Sequence, residues 1–189
     1  MCGRYNFSTE NPDEKMAALI SVMERKYPGG YKTGDIFPGD TAPAVIAQGD
    51  RIVAVPAVFG FPGFKDGKLL INARGETAAE KKTFSDSLKE RRIILPATGF
   101  YEWDSDKTKY LFSVGASSVF YLCGLYRIVD GQYRFVILTR AANESMIEVH
   151  ERMPVIIGEH EVRAYLTDAA AAAGIIASAS TKLTRKPDR

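Results

Sequence analysis

The amino-terminal part of the chain begins with a helical pattern of apolar positions. Met16, Ile20 and Met23 follow one another at the three- to four-residue spacing that places side chains on one face of a helix. Pro12 and the acidic residues after it are typical of a helix start, and a Pro-Gly-Gly run ends the pattern. The sequence therefore predicts a helix over residues 11–27. Further helical segments are predicted at 76–91, 145–149, 159–166 and 169–179.

Short apolar runs between these segments predict strands. Residues 45–47 and 52–55, separated by a Gln-Gly-Asp turn, are typical of a hairpin. Later strands are predicted at 93–95, 110–112, 119–126 and 134–138. Segment 31–44 holds two glycines and two prolines and is predicted to be a loop, as is the aromatic, glycine-rich stretch 59–64.

This order of elements predicts an α+β fold. We expect one domain over residues 1–189, with a distorted, mostly antiparallel and barrel-like sheet flanked by helices. The composition, 46% hydrophobic and 25% charged, is ordinary for a globular protein. The net charge of +2 excludes a strongly basic nucleic-acid binder, so any affinity for DNA would have to come from a local basic groove.

The two cysteines are too few for a disulfide framework and lack the spacing of a metal site. We therefore expect no metal and no cofactor. Cys123 lies in an apolar run and is predicted to be a packed core thiol. Reduced thiols and the lack of an apolar run of about 18 residues predict a cytoplasmic protein with no membrane segment.

Cys2 is the residue whose position suggests chemistry. A small residue at position 2 allows an aminopeptidase to remove Met1, which would expose an N-terminal 1,2-aminothiol. Such an amine has a pKa of roughly 7.7–8.0, so part of it is neutral and nucleophilic near pH 7. The amine can attack an aldehyde to form a Schiff base. The thiol can then close onto the imine carbon to give a five-membered thiazolidine.

Three further clusters hold residue types that catalysis uses. Asn72 and Arg74 follow an apolar strand, Glu102 lies among aromatic residues, and His150 is one of only two histidines. A carboxylate desolvated by aromatic neighbours can shuttle protons near neutrality. Each residue also has an ordinary explanation: a helix-entry cap for Asn72, solvated charges for Arg74 and Glu102, and a structural role for His150.

Together, these segments closely resemble the SRAP family (SOS response-associated peptidase-like, or abasic-site processing, proteins). The matching pieces are CGRY at 2–5, NARGET at 72–77, GFYEW at 99–103 and HERMP at 150–154. Their order and spacing also match, over residues 2 to about 165. The resemblance implies a distorted β-barrel with flanking helices that binds single-stranded DNA. It also implies a covalent link between the N-terminal cysteine and an abasic site, as part of the DNA damage response.

The resemblance also implies roles for individual residues. Cys2 would be the nucleophile, and Asn72 would orient the N-terminus or the sugar. Glu102 would act as acid and base in imine formation, and His150 would help to open the deoxyribose ring or transfer its proton. The residues expected to contact DNA are Arg4 and Arg74 at phosphates, Arg152, and Phe59 and Phe64 as stacking faces.

The sequence departs from the family in three places. The family's loop before the second strand usually carries an asparagine ahead of an Ala-Pro-like turn, and here this loop reads DIFPGD at 35–40. The family's tryptophan-rich segment reads FGFPGF at 59–64. The usual Val-Asn segment near the carboxyl end does not occur here. The DNA-binding rim is therefore expected to differ in part from that of the family.

Three functions remain open at this point. The first is abasic-site capture, with lyase-type strand chemistry as a further outcome. The second is a thiol peptidase of the SOS response that uses Cys2, His150 and Glu102, since cysteine proteases pair a thiolate with a histidine. The third is a DNA-binding module, which would not need Cys2. In each case we expect a monomer. For abasic-site capture, the expected partner is single-stranded DNA that contains abasic sites. We expect the protein to be associated with the bacterial nucleoid when it is bound to that DNA.

Overall fold

The computed structural model describes residues 2–10, 12–63, 67–115 and 119–188. In this part of the chain the helices are α1 (Glu14–Lys26), α2 (Ser85–Glu90), α3 (Glu159–Thr167) and α4 (Ala169–Ser178), with a 3₁₀ turn at Gly75–Thr77. The strands are β1 (Tyr5–Phe7), β2 (Gly34–Ile36), β3 (Thr41–Gln48), β4 (Arg51–Phe59), β5 (Phe61–Pro62), β6 (Leu69–Leu70), β7 (Asn72–Arg74), β8 (Arg92–Ala97), β9 (Gly99–Trp103), β10 (Lys109–Ser113), β11 (Phe120–Val129), β12 (Gln132–Ala141), β13 (Arg152–Pro154), β14 (Ile156–Ile157) and β15 (Thr184–Pro187).

Five long strands pair in a closed ring. The order is β12, β4, β3, β8 and β11, and β11 pairs back with β12. The β4–β12 contact is parallel, with Phe59 opposite Phe135, whereas the other pairs of the ring are antiparallel. Closing a sheet in this way removes exposed strand edges. Short strands β7 and β13 extend the ring at β12, and β14 extends it at β11.

A second sheet carries the amino terminus. Its strand order is β15, β10, β9, β1 and β2, so β1 lies between β9 and β2. The Asn6 amide fixes that position: its Nδ2 donates to Asp35 Oδ1 over 2.7 Å, and its Oδ1 accepts from the Thr98 hydroxyl over 2.7 Å. Because β1 begins at Tyr5, the sheet also determines where Cys2 lies.

The interior of the ring is filled with apolar and aromatic side chains. Tyr5, Phe59 and Phe135 are fully buried there, and the rings of Phe59 and Phe135 stack with centroids 4.9 Å apart. Burying such side chains stabilises a fold by about 1.5–3 kcal/mol each. A second cluster of buried residues includes Leu138 of β12, Tyr165 of α3 and Ile176 of α4. Helices α3 and α4 therefore cover the ring from outside.

Several elements predicted from the sequence are confirmed. Helix α1 begins after Asp13, whose side chain accepts from the Met16 N–H over 2.8 Å. Helices α3 and α4, the β3–β4 hairpin and the strands around 93–95, 110–112, 119–126 and 134–138 are also present, and most of the strands are longer than predicted. The α+β class with its ring-like sheet is confirmed as well.

Four predicted elements are wrong. Segment 31–44 is not a loop throughout, because β2 and the start of β3 lie in it. Within 59–63, the described part of the predicted loop 59–64, Phe59 ends β4 and Phe61–Pro62 forms β5, which pairs with β6. Residues 144–149 form turns rather than a helix, since the Asn143 side chain accepts from the Ser145 N–H. Of 76–91, only the 3₁₀ turn and the six residues of α2 are helical.

No helix in the described ranges combines the length and the apolar character that crossing a membrane requires.

Candidate active site at the amino terminus

Cys2 lies inside the molecule rather than on a loose terminus. Its side chain is 1% exposed and belongs to the core of the ring. The thiol donates to the carbonyl oxygen of Arg4 over 3.9 Å, and the Cys2 carbonyl oxygen accepts from Asn72 Nδ2 over 3.1 Å. The structure thus brings together Cys2 and Asn72, which are 70 residues apart in the sequence.

Asn72 is positioned by the parallel pairing of β7 with β12. Asn72 lies opposite Ile137, and Arg74 lies opposite Thr139. Since alternate residues of a strand share a face, Asn72 and Arg74 are on the same side of β7. Asn72 Oδ1 is buried and accepts no hydrogen bond from the described residues. It can accept one from a substrate hydroxyl or from an amine placed beside Cys2.

Glu102 is the carboxylate that the sequence predicts as acid and base, and its charge raises the pKa of the Cys2 thiol. It lies on β9 and is 6% exposed. Burial raises the pKa of the Cys2 thiol well above its ordinary range, and the negative charge of Glu102 raises it further. The thiol is therefore protonated at neutral pH. A buried acid or base next to a protonated thiol suits proton transfer better than thiolate attack.

His150 is held in a defined orientation just before β13. Its Nδ1 accepts from the Arg152 N–H over 2.9 Å, and its main-chain N–H donates to the Met146 carbonyl over 3.1 Å. A neutral imidazole whose Nδ1 is an acceptor carries its proton on Nε2. Strand β13, which begins two residues after His150, and strand β7, which begins at Asn72, both pair with β12 at Thr139.

Arg152 forms an ion pair with Glu76. Its Nη1 and Nη2 donate to the two carboxylate oxygens, each over 2.7 Å, and its side chain is 12% exposed. The hydrogen bonds from Arg152 are the largest cause that lowers the pKa of Glu76, to about 2. The pair joins the NARGET and HERMP segments. It also occupies the guanidinium for which the sequence predicts DNA contact.

Arg4 lies against a wall of aromatic rings. Its guanidinium carbon is 4.3 Å from the centroid of Phe37, 5.2 Å from that of Trp103 and 5.7 Å from that of Tyr101. In the described part of the chain no carboxylate forms a salt bridge with Arg4. Aromatic faces attract a guanidinium without using its N–H groups, so the terminal N–H groups of Arg4 can bind an anion, whereas its Nε is buried.

Sequence reasoning missed Phe37. The ring is 37% exposed, and it also lies 4.8 Å from Lys32 Nζ. The motif gives no reason to choose Phe37, because what distinguishes this residue is that the fold places two cations, Arg4 and Lys32, against its ring. A large aromatic residue before a proline in an otherwise polar segment is the local pattern that could have pointed to it.

The prediction that Phe59 offers a stacking face for a base is wrong. Phe59 is fully buried, and its ring packs between Phe135 and the edge of Tyr5. A nucleobase could reach it only by opening the core. The other predicted stacking residue, Phe64, lies outside the described residues, as does Met1.

The fold and the site together define a class of protein. It is an α+β domain with a ring-like sheet, in which an amino-terminal cysteine is buried next to an asparagine and a glutamate. The chain belongs to the SOS response associated peptidase (SRAP) family, whose sequence profile matches residues 1–186.

Individual relatives agree with this assignment. The abasic site processing protein YoqW of Bacillus subtilis (strain 168) is 32% identical over 182 residues, which cover 88% of this chain and 80% of that protein. The abasic site processing protein YedK of Escherichia coli (strain K12) is 26% identical over 180 residues, covering 88% of this chain and 79% of YedK.

Solved structures share the fold. A crystal structure of a protein from Bacteroides thetaiotaomicron covers 100% of this chain with a TM-score of 0.76 and 22% identity, and 92% of that protein is matched. A crystal structure of a phage-related protein from Bordetella bronchiseptica covers 100% of this chain with a TM-score of 0.75 and 21% identity, and 94% of that protein is matched.

Proposed function

We propose that this protein processes abasic sites in single-stranded DNA by bonding them covalently to Cys2. Family membership and relatives that are named abasic site processing proteins support this role. The observation that carries the proposal is the Cys2 site itself. The main chain of Cys2 is held by Asn72 inside the core, and its thiol is protonated beside Glu102.

The reaction requires the amine of Cys2, so Met1 must first be removed. The amine attacks C1′ of the open-chain sugar, and the aldehyde oxygen takes up a proton to give a carbinolamine. Loss of water then forms the imine. The sulfur adds to the imine carbon while the thiol proton passes to nitrogen, which closes the thiazolidine. The balance is one aldehyde and one aminothiol giving one ring and one water.

A protonated thiol suits this order of events. The amine is the first nucleophile, and the thiol is needed only after the imine has formed. Glu102 can supply a proton when water leaves, and it can then relay the thiol proton to nitrogen as the ring closes. His150, with its proton on Nε2, can donate to the ring oxygen of the closed sugar while the C1′ hydroxyl loses its proton to water, which releases the aldehyde. Asn72 keeps the terminus in place throughout.

DNA contact is assigned to Arg4 and Arg74. The Arg4 donors are not used by a carboxylate of the described chain, and the Arg74 side chain is exposed on the same face of β7 as Asn72. Guanidinium groups bind phosphate through two parallel hydrogen bonds. Arg152 is left out of this set because Glu76 already binds both of its terminal nitrogens.

The peptidase function is supported less well. A cysteine peptidase needs a thiolate, and reactive cysteines have lowered pKa values. Burial and Glu102 change the pKa of Cys2 in the opposite direction. The Nδ1 of His150 is engaged by the Arg152 N–H, and the thiol donates to a main-chain carbonyl. These contacts favour capture of an aldehyde over attack on a peptide bond.

The test compares Cys2→Ala and Cys2→Ser with the unchanged protein on an abasic single-stranded oligonucleotide. The unchanged protein should form a crosslink that survives denaturation without a reductant. Both variants keep the amine, so their product should depend on trapping with borohydride or should proceed to strand cleavage. Equal amounts of reductant-free crosslink from Cys2→Ala would rule out thiol closure, and no crosslink from any form would rule out capture.

A further inference from the structure

We propose that Glu76 is a positioning residue that acts through Arg152 to hold the His150 imidazole in one tautomer. The inference deepens the proposed function and depends on it only for the role of His150. Glu76 is not proposed to contact a substrate. Its effect on the His150 imidazole is transmitted by the side-chain and main-chain hydrogen bonds of Arg152.

The Glu76 carboxylate accepts hydrogen bonds from two other segments of the chain, at Ala141 and Arg152. Glu76 Oε1 accepts from Arg152 Nη1 over 2.7 Å and from the Ala141 N–H over 3.2 Å, and Oε2 accepts from Arg152 Nη2 over 2.7 Å. Ala141 and Arg152 lie opposite each other where β12 and β13 pair. Glu76 follows β7 at the 3₁₀ turn, so the strand of Asn72 is linked to the strand that follows His150.

The link reaches the imidazole through the main chain of Arg152. The N–H of Arg152 donates to His150 Nδ1 over 2.9 Å, so the place of that N–H decides which ring nitrogen is the acceptor. Arg152 Nη2 also donates to the Thr139 hydroxyl over 3.3 Å, which fixes the side chain at a second point. With both ends of Arg152 held, the Nε2 proton of His150 has a fixed direction.

Removing the carboxylate should release this arrangement. The Arg152 side chain is 12% exposed and the Glu76 side chain 48%, so Arg152 is the more buried member of the pair and is the one left with an unpaired, poorly solvated charge when the carboxylate is removed. The side chain would therefore turn towards solvent and displace the start of β13. The His150 Nδ1 would lose its fixed donor, and the imidazole would sample both tautomers.

The experiment compares Glu76→Gln and Glu76→Asp with a matched control, Glu159→Gln. Glu159 also forms an ion pair, with Lys15, but it lies on α3 away from the proposed site. The primary readout is the ¹⁵N spectrum of the imidazoles, which reports the tautomer in the absence of DNA. The chain has two histidines, so the His150 signals are assigned by their loss in His150→Gln.

The unchanged protein and Glu159→Gln should show His150 with its proton on Nε2, and Glu76→Gln should show averaged tautomers. Crosslinking by Glu76→Gln should slow by up to about 10²-fold, because misplacement by about 1 Å can cost that much. Affinity for an uncleavable abasic analogue should not change. Glu76→Asp keeps the charge and should recover part of both the tautomer and the rate.

An unchanged His150 tautomer in folded Glu76→Gln would overturn the inference. If that variant does not fold, Arg152→Lys replaces it, since lysine keeps the charge but cannot bind both oxygens of Glu76. The ¹⁵N imidazole spectrum of Arg152→Lys is then compared with that of the unchanged protein. Failure of the proposed function would give a different result, because neither the unchanged protein nor any variant would form a crosslink. The imidazole spectra would still test the link between Glu76 and His150.

Discussion

At the scale of single residues, the site depends on where protons are held. The Cys2 thiol keeps its proton because burial and the charge of Glu102 both disfavour the thiolate. Asn72 and Arg152 hold the neighbouring groups through hydrogen bonds of 3.1 Å and 2.9 Å. In the proposed reaction these contacts hold the groups that transfer protons, so substitutions there should slow proton transfer.

Glu102→Gln tests that view. The substitution removes the negative charge, so the pKa of Cys2 should fall towards its ordinary value. Crosslinking should nevertheless slow by about 10²–10⁴-fold, since the amide cannot exchange protons. The measurements are an ultraviolet titration of the thiolate and single-turnover crosslinking. Affinity for an uncleavable abasic analogue should not change, and a parallel fall in affinity and rate would make Glu102 a binding or structural residue.

Arg4 and Arg74 should contribute phosphate contacts that do not depend on sequence. Replacing either with alanine should weaken binding to every single strand, and the slope of log affinity against log salt should shrink by roughly 0.7 for each lost contact. Phe37→Leu is the matched variant for Arg4, because it keeps an apolar side chain but removes the aromatic face. An unchanged salt slope in Arg4→Ala and Arg74→Ala would show that both arginines are structural.

At the scale of elements, a buried arginine fastens the ends of two helices. Arg92, at the start of β8, donates to the carbonyls of Leu88 and Lys89 at the end of α2, and to those of Tyr165 and Leu166 near the end of α3. The last carbonyls of a helix have no partner within it. Arg92 supplies those partners from a position that is buried and therefore unable to rely on water.

Arg92→Met should lower the free energy of unfolding by more than about 2 kcal/mol, because each buried carbonyl left unpaired costs about 1–3 kcal/mol. Arg91→Met is the control. Arg91 is the preceding residue, and its side chain forms a 3.8 Å ion pair with the exposed Glu90. Its replacement should lower the free energy of unfolding by no more than about 0.5 kcal/mol. Urea unfolding of both variants gives the comparison. Equal losses would contradict the role assigned to Arg92.

Some elements could be predicted from the sequence because the residues that determine them lie close together along the chain. Helix α1 has a cap at Asp13 and an apolar face, and the β3–β4 hairpin has a glycine at position 49 with φ of +58°. Strands β1, β2 and β7 have three residues each, too few for a pattern. They form because neighbours in the sheets pair with them, and for β1 the side-chain partners of Asn6 are 29 and 92 residues away.

The sequence motifs supply the candidate residues of the site but not the surroundings of those residues. Cys2, Asn72 and Glu102 were found by their motifs, and the fold brings them together. The burial of Phe59 and the exposure of Phe37 depend on which strands close the ring, and no local pattern carries that information. In the same way, an ion pair between Glu76 and Arg152 spans 76 residues of sequence.

At the scale of the whole molecule, acid should weaken the fold through Glu76. The pKa of this carboxyl is lowered to about 2 from 4.5, so its pairing stabilises the protein fully above the unfolded value and is lost as the pH falls towards 2. Glu76→Gln should therefore be less stable than the unchanged protein at neutral pH, and the difference should shrink below pH 4.5. Thermal unfolding across this range measures it. A difference that does not depend on pH would contradict the assignment.

In the proposed function, the net charge of +2 leaves DNA binding to a local basic surface and specificity to the covalent step. A whole molecule that works in this way should release an undamaged strand easily and retain one that carries an aldehyde. In the proposed function, the burial of Cys2 would serve the same purpose, because a buried reacting group meets only aldehydes that enter the site.

The intact mass of the protein, before and after incubation with an abasic single-stranded oligonucleotide, tests the central claim most directly. The free protein should be lighter than the full sequence by one methionine residue. The product should gain the mass of the oligonucleotide less one water, and it should persist under denaturing conditions without reductant. Full crosslinking by protein that retains Met1, or an adduct that forms equally well on Cys2→Ala, would contradict the account.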